Sequence, residues 1–170
     1  METLLDPLPS DKLAHPPKPP PQLLRKLAFL VGRFHGDGSY AKGGRRFHKQ
    51  MVGAWEAGGQ FLSLRMRVVY PLKDGRLDVH DACVMLGCHA ASQQLEARAY
   101  TDGGRLVDYQ LIYNGHSLSF PDRPPGHQPK AKRARKILSP HEGGFAERLE
   151  VDFGTGAFES YSLIMMQRQG

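Results

Sequence analysis

Residues 95–111 read Leu95-Glu96-Ala97-Arg98-Ala99-Tyr100-Thr101-Asp102-Gly103-Gly104-Arg105-Leu106-Val107-Asp108-Tyr109-Gln110-Leu111. On both sides of Asp102-Gly103-Gly104, small or apolar residues alternate with polar ones, the period of two that marks a half-buried strand. If Asp102-Gly103-Gly104 is a three-residue hairpin loop, Ala99 faces Val107 and Ala97 faces Tyr109. The rows 95/97/99 and 107/109/111 then fall on one side of an antiparallel pair. Lys73-Asp74-Gly75, read the same way, sets Val68 against His80, Met66 against Ala82 and Leu64 against Val84. Both hairpins bury one consistent face.

The same alternation runs outward from these hairpins, from Arg33 to Arg168, and gives candidate strands at about 33–41, 46–55, 60–70, 76–88, 94–101, 105–114, 116–121, 131–138, 144–153 and 158–168. Short connections such as Gly43-Gly44, Gly58-Gly59 and Glu142-Gly143 require neighbouring strands to run antiparallel. An open sheet of this size would leave two unpaired edges. Closure removes them, so the expected fold is all-β: a closed antiparallel up-and-down β-barrel of about ten strands. Gln22–Val31, with proline at its entrance, Leu23, Leu27 and Leu30 on one face and Gly32 as its stop, is predicted as a short helix that caps one end. Residues 1–21, which include His15-Pro16-Pro17-Lys18-Pro19-Pro20-Pro21, form a proline-rich arm that cannot nucleate a core. Residues 22–170 make a single barrel domain.

The 170 residues suit one core, and 19 glycines favour many short strands over a helical bundle. No apolar run approaches the roughly 20 residues of a membrane-spanning helix, and Met1–Lys12 lacks the layout of a secretory signal, so a soluble cytoplasmic protein without membrane insertion is expected. Cys83 and Cys88 on one strand would stand about 17 Å apart at ~3.4 Å per residue, out of disulfide reach. Free thiols are expected, and no metal site.

The net charge of +6 has one source. Arg123, Lys130, Lys132, Arg133, Arg135 and Lys136 lie in a stretch without an acid, and removing these six from 23 basic residues leaves 17 against 17 acidic. The segment reads either as a solvated basic loop or as a collar that draws an anionic ligand.

Polar residues on otherwise apolar rows are the candidates for chemistry. A turn at Ser139–Gly143 centred near His141 would pair Arg135 with Glu147 inside the barrel; a different register or a bulge would turn both outward. A buried ion pair rarely improves stability over an apolar pair, so its presence would point to ligand orientation or proton transfer. His80, on the row of Ala82, Val84 and Leu86, is either a satisfied core histidine or a cavity residue. Tyr109 and Tyr113, on the row of Val107 and Leu111, are either core aromatics or orienting hydrogen-bond donors in an apolar pocket. Arg133 is assigned to the mouth beside the basic loop. Arg65, Arg67 and His48 face outward and Trp55 inward. The sequence holds no nucleophile elbow, Walker loop, Rossmann fingerprint or zinc-protease motif.

Gly32-Arg33-Phe34-His35-Gly36-Asp37-Gly38 resembles the opening of calycin-type barrels, in particular the Gly-x-Trp-x-Gly-x-Gly of nitrobindin-like proteins, with Phe34 in place of tryptophan. Gly58-Gly59-Gln60-Phe61-Leu62 and the late Arg168 resemble an uncharacterised bacterial family of lipocalin-like barrels, and the likeness spans about residues 22–168. The resemblance implies an aromatic plug at Phe34 with Arg168 stacked over it. Nitrobindin-like proteins hold haem through a histidine near the chain's end. Phe158–Arg168 contains none, leaving only Met165 or Met166 as substitutes, so no cofactor is expected and haem binding stands as a lesser alternative.

Two functions follow as expectations. One is a binding barrel for a small, largely apolar, anionic molecule. The alternative is a barrel enzyme of the cyclase or isomerase kind, with His80, Glu147 and Tyr109 as acid, base or hydrogen-bond donor. Nucleic acid is not an expected partner, because the basic segment lacks interleaved aromatics for stacking. The oligomeric state is left open.

Overall fold

The computed structural model of the chain describes residues 19–123 and 133–170, at 122 and 123 the backbone alone. The proline-rich arm up to residue 18 and the middle of the basic segment lie outside the described residues. A four-residue helix, α1 (Gln22–Arg25), and a 3₁₀ turn (Ala28–Leu30) precede β1 (Gly32–Tyr40), β2 (Arg46–Glu56), β3 (Phe61–Pro71), β4 (Leu77–Cys88), β5 (Leu95–Thr101), β6 (Leu106–Gln110), β7 (Ile112–Tyr113), β8 (Leu118–Arg123), β9 (Arg133–His141), β10 (Gly144–Asp152) and β11 (Glu159–Arg168).

These strands form one antiparallel sheet in the order β6-β5-β4-β3-β2-β1-β11-β10-β9-β8-β7, a nearly closed barrel. The two hairpins read from sequence hold their registers, with Ala97 opposite Tyr109, Ala99 opposite Val107, and Val68, Met66 and Leu64 opposite His80, Ala82 and Val84. The strand predicted at 105–114 is in fact two. Residues of β6 pair with β5, those of β7 pair with β8, and the chain changes partner at buried Leu111, whose N–H donates to the Leu95 carbonyl at 2.8 Å. The barrel closes through this one segment. Among the described residues no ladder joins β6 to β8 directly; the Tyr109 and Phe120 rings meet edge-on across that seam at 5.5 Å.

The predicted ten-residue helix is shorter than expected, because α1 ends at Arg25 and the backbone tightens into the 3₁₀ turn. So short a helix has little stability of its own, and packing decides which leucines enter: Leu24, Leu27 and Leu30 are fully buried, and Leu23 is not. The turn lies directly on β2. A Cβ at Gly53 would stand 1.8 Å from the Leu30 carbonyl oxygen, so only glycine allows this approach. Beside it, Phe34 packs edge-on to Phe145 at 5.1 Å, and the Arg168 guanidinium lies 4.8 Å over Phe34 while donating to the Val31 and Phe29 carbonyls. This end of the barrel is sealed.

At the other end Phe47 packs against Tyr40 and Tyr70, and Tyr161 meets Tyr40 at 5.1 Å. Gly38 makes room for that cluster, since a Cβ there would stand 2.4 Å from the Phe47 ring. Among the described residues no helix is long and apolar enough to cross a membrane. Cys83 and Cys88 are free thiols.

Candidate functional site

Above the sealed end, the barrel holds a cavity of about 280 Å³ that opens partly to solvent where exposed Arg105 and Leu106 line it. Its wall is mostly apolar: Met51, Leu64, Met66, Val84, Ala99, Phe120 and Leu138 line it, each facing inward by the alternation of its strand. The polar members are Thr101, Arg105, Tyr109, Lys136 and Glu147. A larger depression of about 480 Å³ lies over β2–β5, lined by outward residues such as Arg65, Cys83, Tyr100 and the ion-paired Arg67 and Asp81. It is open to solvent and holds no buried charge, so the interior cavity is the stronger candidate.

Three charges meet in that interior. Lys49 comes from β2, on the inward row of Phe47 and Met51, and is almost completely buried. Lys136 comes from β9, on the row of Ala134 and Leu138, and Glu147 from β10, opposite Leu138. The Lys49 ammonium donates to Glu147 Oε2, and the Lys136 Nζ lies 2.9 Å from Glu147 Oε1. Burial would push the Glu147 carboxyl up. The Lys136 and Lys49 ammonium groups, through charge and hydrogen bonds, outweigh that penalty and hold it well below the usual carboxylate range. Glu147 is therefore a fixed anion, unsuited to give up a proton near neutral pH.

Tyr109 lines the same cavity, edge-on to Phe120. The other expected site residues are elsewhere. Arg135 does not face Glu147: the β9–β10 register sets it against Glu150, to which its Nε donates at 2.5 Å on the outer wall. The turn causes this difference. It is a two-residue connection, Glu142-Gly143, between paired His141 and Gly144, with Gly143 at φ +77°, and not a loop centred on His141. Arg133 is outside as well, and both guanidiniums lie over the Phe158 ring, at 5.0 and 4.2 Å. His80 keeps its inward register opposite Val68 but sits at the rim, its Nε2 3.2 Å from Asp78 and its ring against Tyr70. Tyr113 packs on the core and donates its hydroxyl to the Gly115 carbonyl at 2.9 Å. Neither lines the cavity.

From sequence, Lys136 is read only as part of the basic segment, and Lys49 is not singled out. Both carry a legible signal, since Phe47-x-Lys49-x-Met51 and Ala134-x-Lys136-x-Leu138 each place a lysine on an apolar row. Among the described residues no group of three or more histidine, cysteine or acidic side chains is arranged to hold a metal ion.

No family model matches the chain, and no curated protein does. Among solved structures, it is similar to the crystal structure of Rv2717c from M. tuberculosis, with a TM-score of 0.60 and 12% identity over 89% of this chain and 100% of that one. At that identity the likeness is one of fold alone.

Proposed function

We propose that this protein is a cytoplasmic binding barrel for a small, largely apolar ligand that carries one anionic group. The observation that carries the reading is the 280 Å³ apolar cavity whose described lining has two cationic side chains, Lys136 and Arg105, and one anionic, Glu147. An apolar wall with a few polar anchors is the usual composition of a small-molecule site, and this volume sits just below the usual range. A cavity of this size suits a medium-chain or simple aromatic carboxylate. Because Glu147 is already held by two ammonium groups, it organises the lysines and leaves the ligand's carboxylate to approach Lys136 and Arg105.

The histidine through which the nitrobindin-like resemblance would bring haem has no counterpart among the described lining residues. Met165 faces outward and Met166 is buried in the core cluster. Acid–base catalysis by Glu147 and His80 gains little support, since one carboxyl is fixed as an anion and the imidazole lies at the rim.

Isothermal titration with octanoate and octanol tests the proposal. The acid is expected to bind at least about tenfold more tightly than the alcohol, a difference of about 1.4 kcal/mol. Equal affinities would remove the anionic part of the reading, and failure of both to bind would overturn it.

A further inference from the structure

We propose that Lys136 forms a reversible covalent imine with apolar aldehydes admitted to the cavity. The proposal rests on the cavity being a ligand site but reaches beyond carboxylate binding. Its starting point is the pairing of two lysines with one glutamate in a mostly apolar interior. Lysine amines become nucleophiles when they are desolvated or set near another cation. Lys136 is largely buried and shares the Glu147 carboxylate with the Lys49 ammonium, so that carboxylate does not hold the Lys136 proton alone. It faces the cavity, while Lys49 is buried behind the wall and absent from the lining. When Lys136 reacts as a free amine, Lys49 still neutralises Glu147, so no bare buried carboxylate is created. Lys49 is thus a positioning residue, and Lys136 the one that touches the ligand.

The chemistry balances without a co-reactant. The Lys136 ammonium first gives one proton to water. Its nitrogen lone pair then forms a bond to the aldehyde carbon, and the carbonyl oxygen leaves as water with the two remaining amine hydrogens. The imine nitrogen regains one proton, which restores a cation beside Glu147 Oε1. No oxidation or reduction occurs. Among the ionisable groups around this nitrogen, Glu147 from β10 contacts it, Lys49 from β2 shares that carboxylate, and Tyr109 from β6 and Arg105 from the β5–β6 turn line the same cavity.

The test uses the unaltered full chain with octanal and sodium cyanoborohydride, which reduces the imine to a stable amine. Peptide mapping by mass spectrometry reads the octyl mark at each lysine. Exposed Lys42 and Lys73 serve as internal references. Lys136 is expected to be marked at least about tenfold faster than either, through proximity in the cavity, and the mark should vanish in Lys136→Arg. Marking of Lys136 no faster than the exposed lysines would overturn the proposal. Rates against pH test the part played by Lys49: Lys49→Arg should keep the profile and Lys49→Met should move it to higher pH, while an unmoved profile in Lys49→Met would remove Lys49 from the account. Selective marking without octanoate binding, or octanoate binding without selective marking, separates this proposal from the preceding one.

Discussion

Lys49 and Glu147 are 98 residues apart in the chain and meet inside the barrel, where the lysine ammonium donates to the glutamate carboxylate with both side chains shielded from water. Breaking one side of a buried pair leaves an uncompensated charge, which costs about 3–5 kcal/mol. Glu147→Gln is therefore expected to lose about that much stability in urea denaturation. A Lys49→Met, Glu147→Leu double variant should lose clearly less than the sum of its single changes. Additive losses would mean that the two groups do not interact in solution.

The same carboxylate couples stability to pH. In the unfolded chain it titrates near ~4.3, and in the barrel it is held well below the usual range. Between those values the unfolded state binds a proton that the folded state refuses, so this contribution is complete above the unfolded value and drains away as pH falls toward the folded one. Asp81, Asp108 and Asp152 are also lowered, but they are present in both proteins and cancel in a comparison. From about pH 5 to about pH 3, the thermal midpoint should fall more steeply in the wild type than in Glu147→Gln. Parallel curves would show Glu147 to be unperturbed.

Hairpins with short glycine turns were legible because loop length and alternation fix register together, as at Lys73-Asp74-Gly75 and Asp102-Gly103-Gly104. The β9–β10 register was not, because Ser139–Gly143 offers several possible turn centres and the choice depends on Gly143 adopting a positive φ. That ambiguity alone moved Arg135 from the expected interior to the outer wall. The break at Leu111 was hidden for another reason: alternation continues through it, and only barrel closure requires the strand to change partners there. The interior lysines stood on the correct rows, but a charge on an apolar row signals a site only when its partner on a distant strand is known. Lys49 and Glu147 become neighbours only through the order β2-β1-β11-β10.

Gly53 offers a test of how the sealed end is built. A methyl group there would collide with the Leu30 backbone oxygen, an atom that cannot swing aside as a side chain would. Gly53→Ala is expected to destabilise the fold by more than about 3 kcal/mol, at the upper end of overpacking costs. Gly103→Ala, where the nearest heavy atom is 3.9 Å away and φ is not positive, should stay within about 0.5 kcal/mol of wild type. Urea midpoints of the two variants make the comparison. Equal effects would mean that the 3₁₀ turn does not rest on β2.

The cavity itself can be filled from within. Ala99 lies on β5 between Val84 of β4 and Val107 of β6, and its small side chain leaves open space that a larger one would occupy. Ala99→Phe should raise the octanoate Kd at least about tenfold, while overpacking costs about 1–3 kcal/mol of stability. Its neighbour Tyr100 points outward and is half exposed, so Tyr100→Phe should leave binding unchanged. Calorimetric titration of both variants, with denaturation to confirm that each is folded, separates a blocked lumen from a general loss of structure. If folded Ala99→Phe binds octanoate as tightly as the wild type, the carboxylate sits somewhere other than beside Lys136.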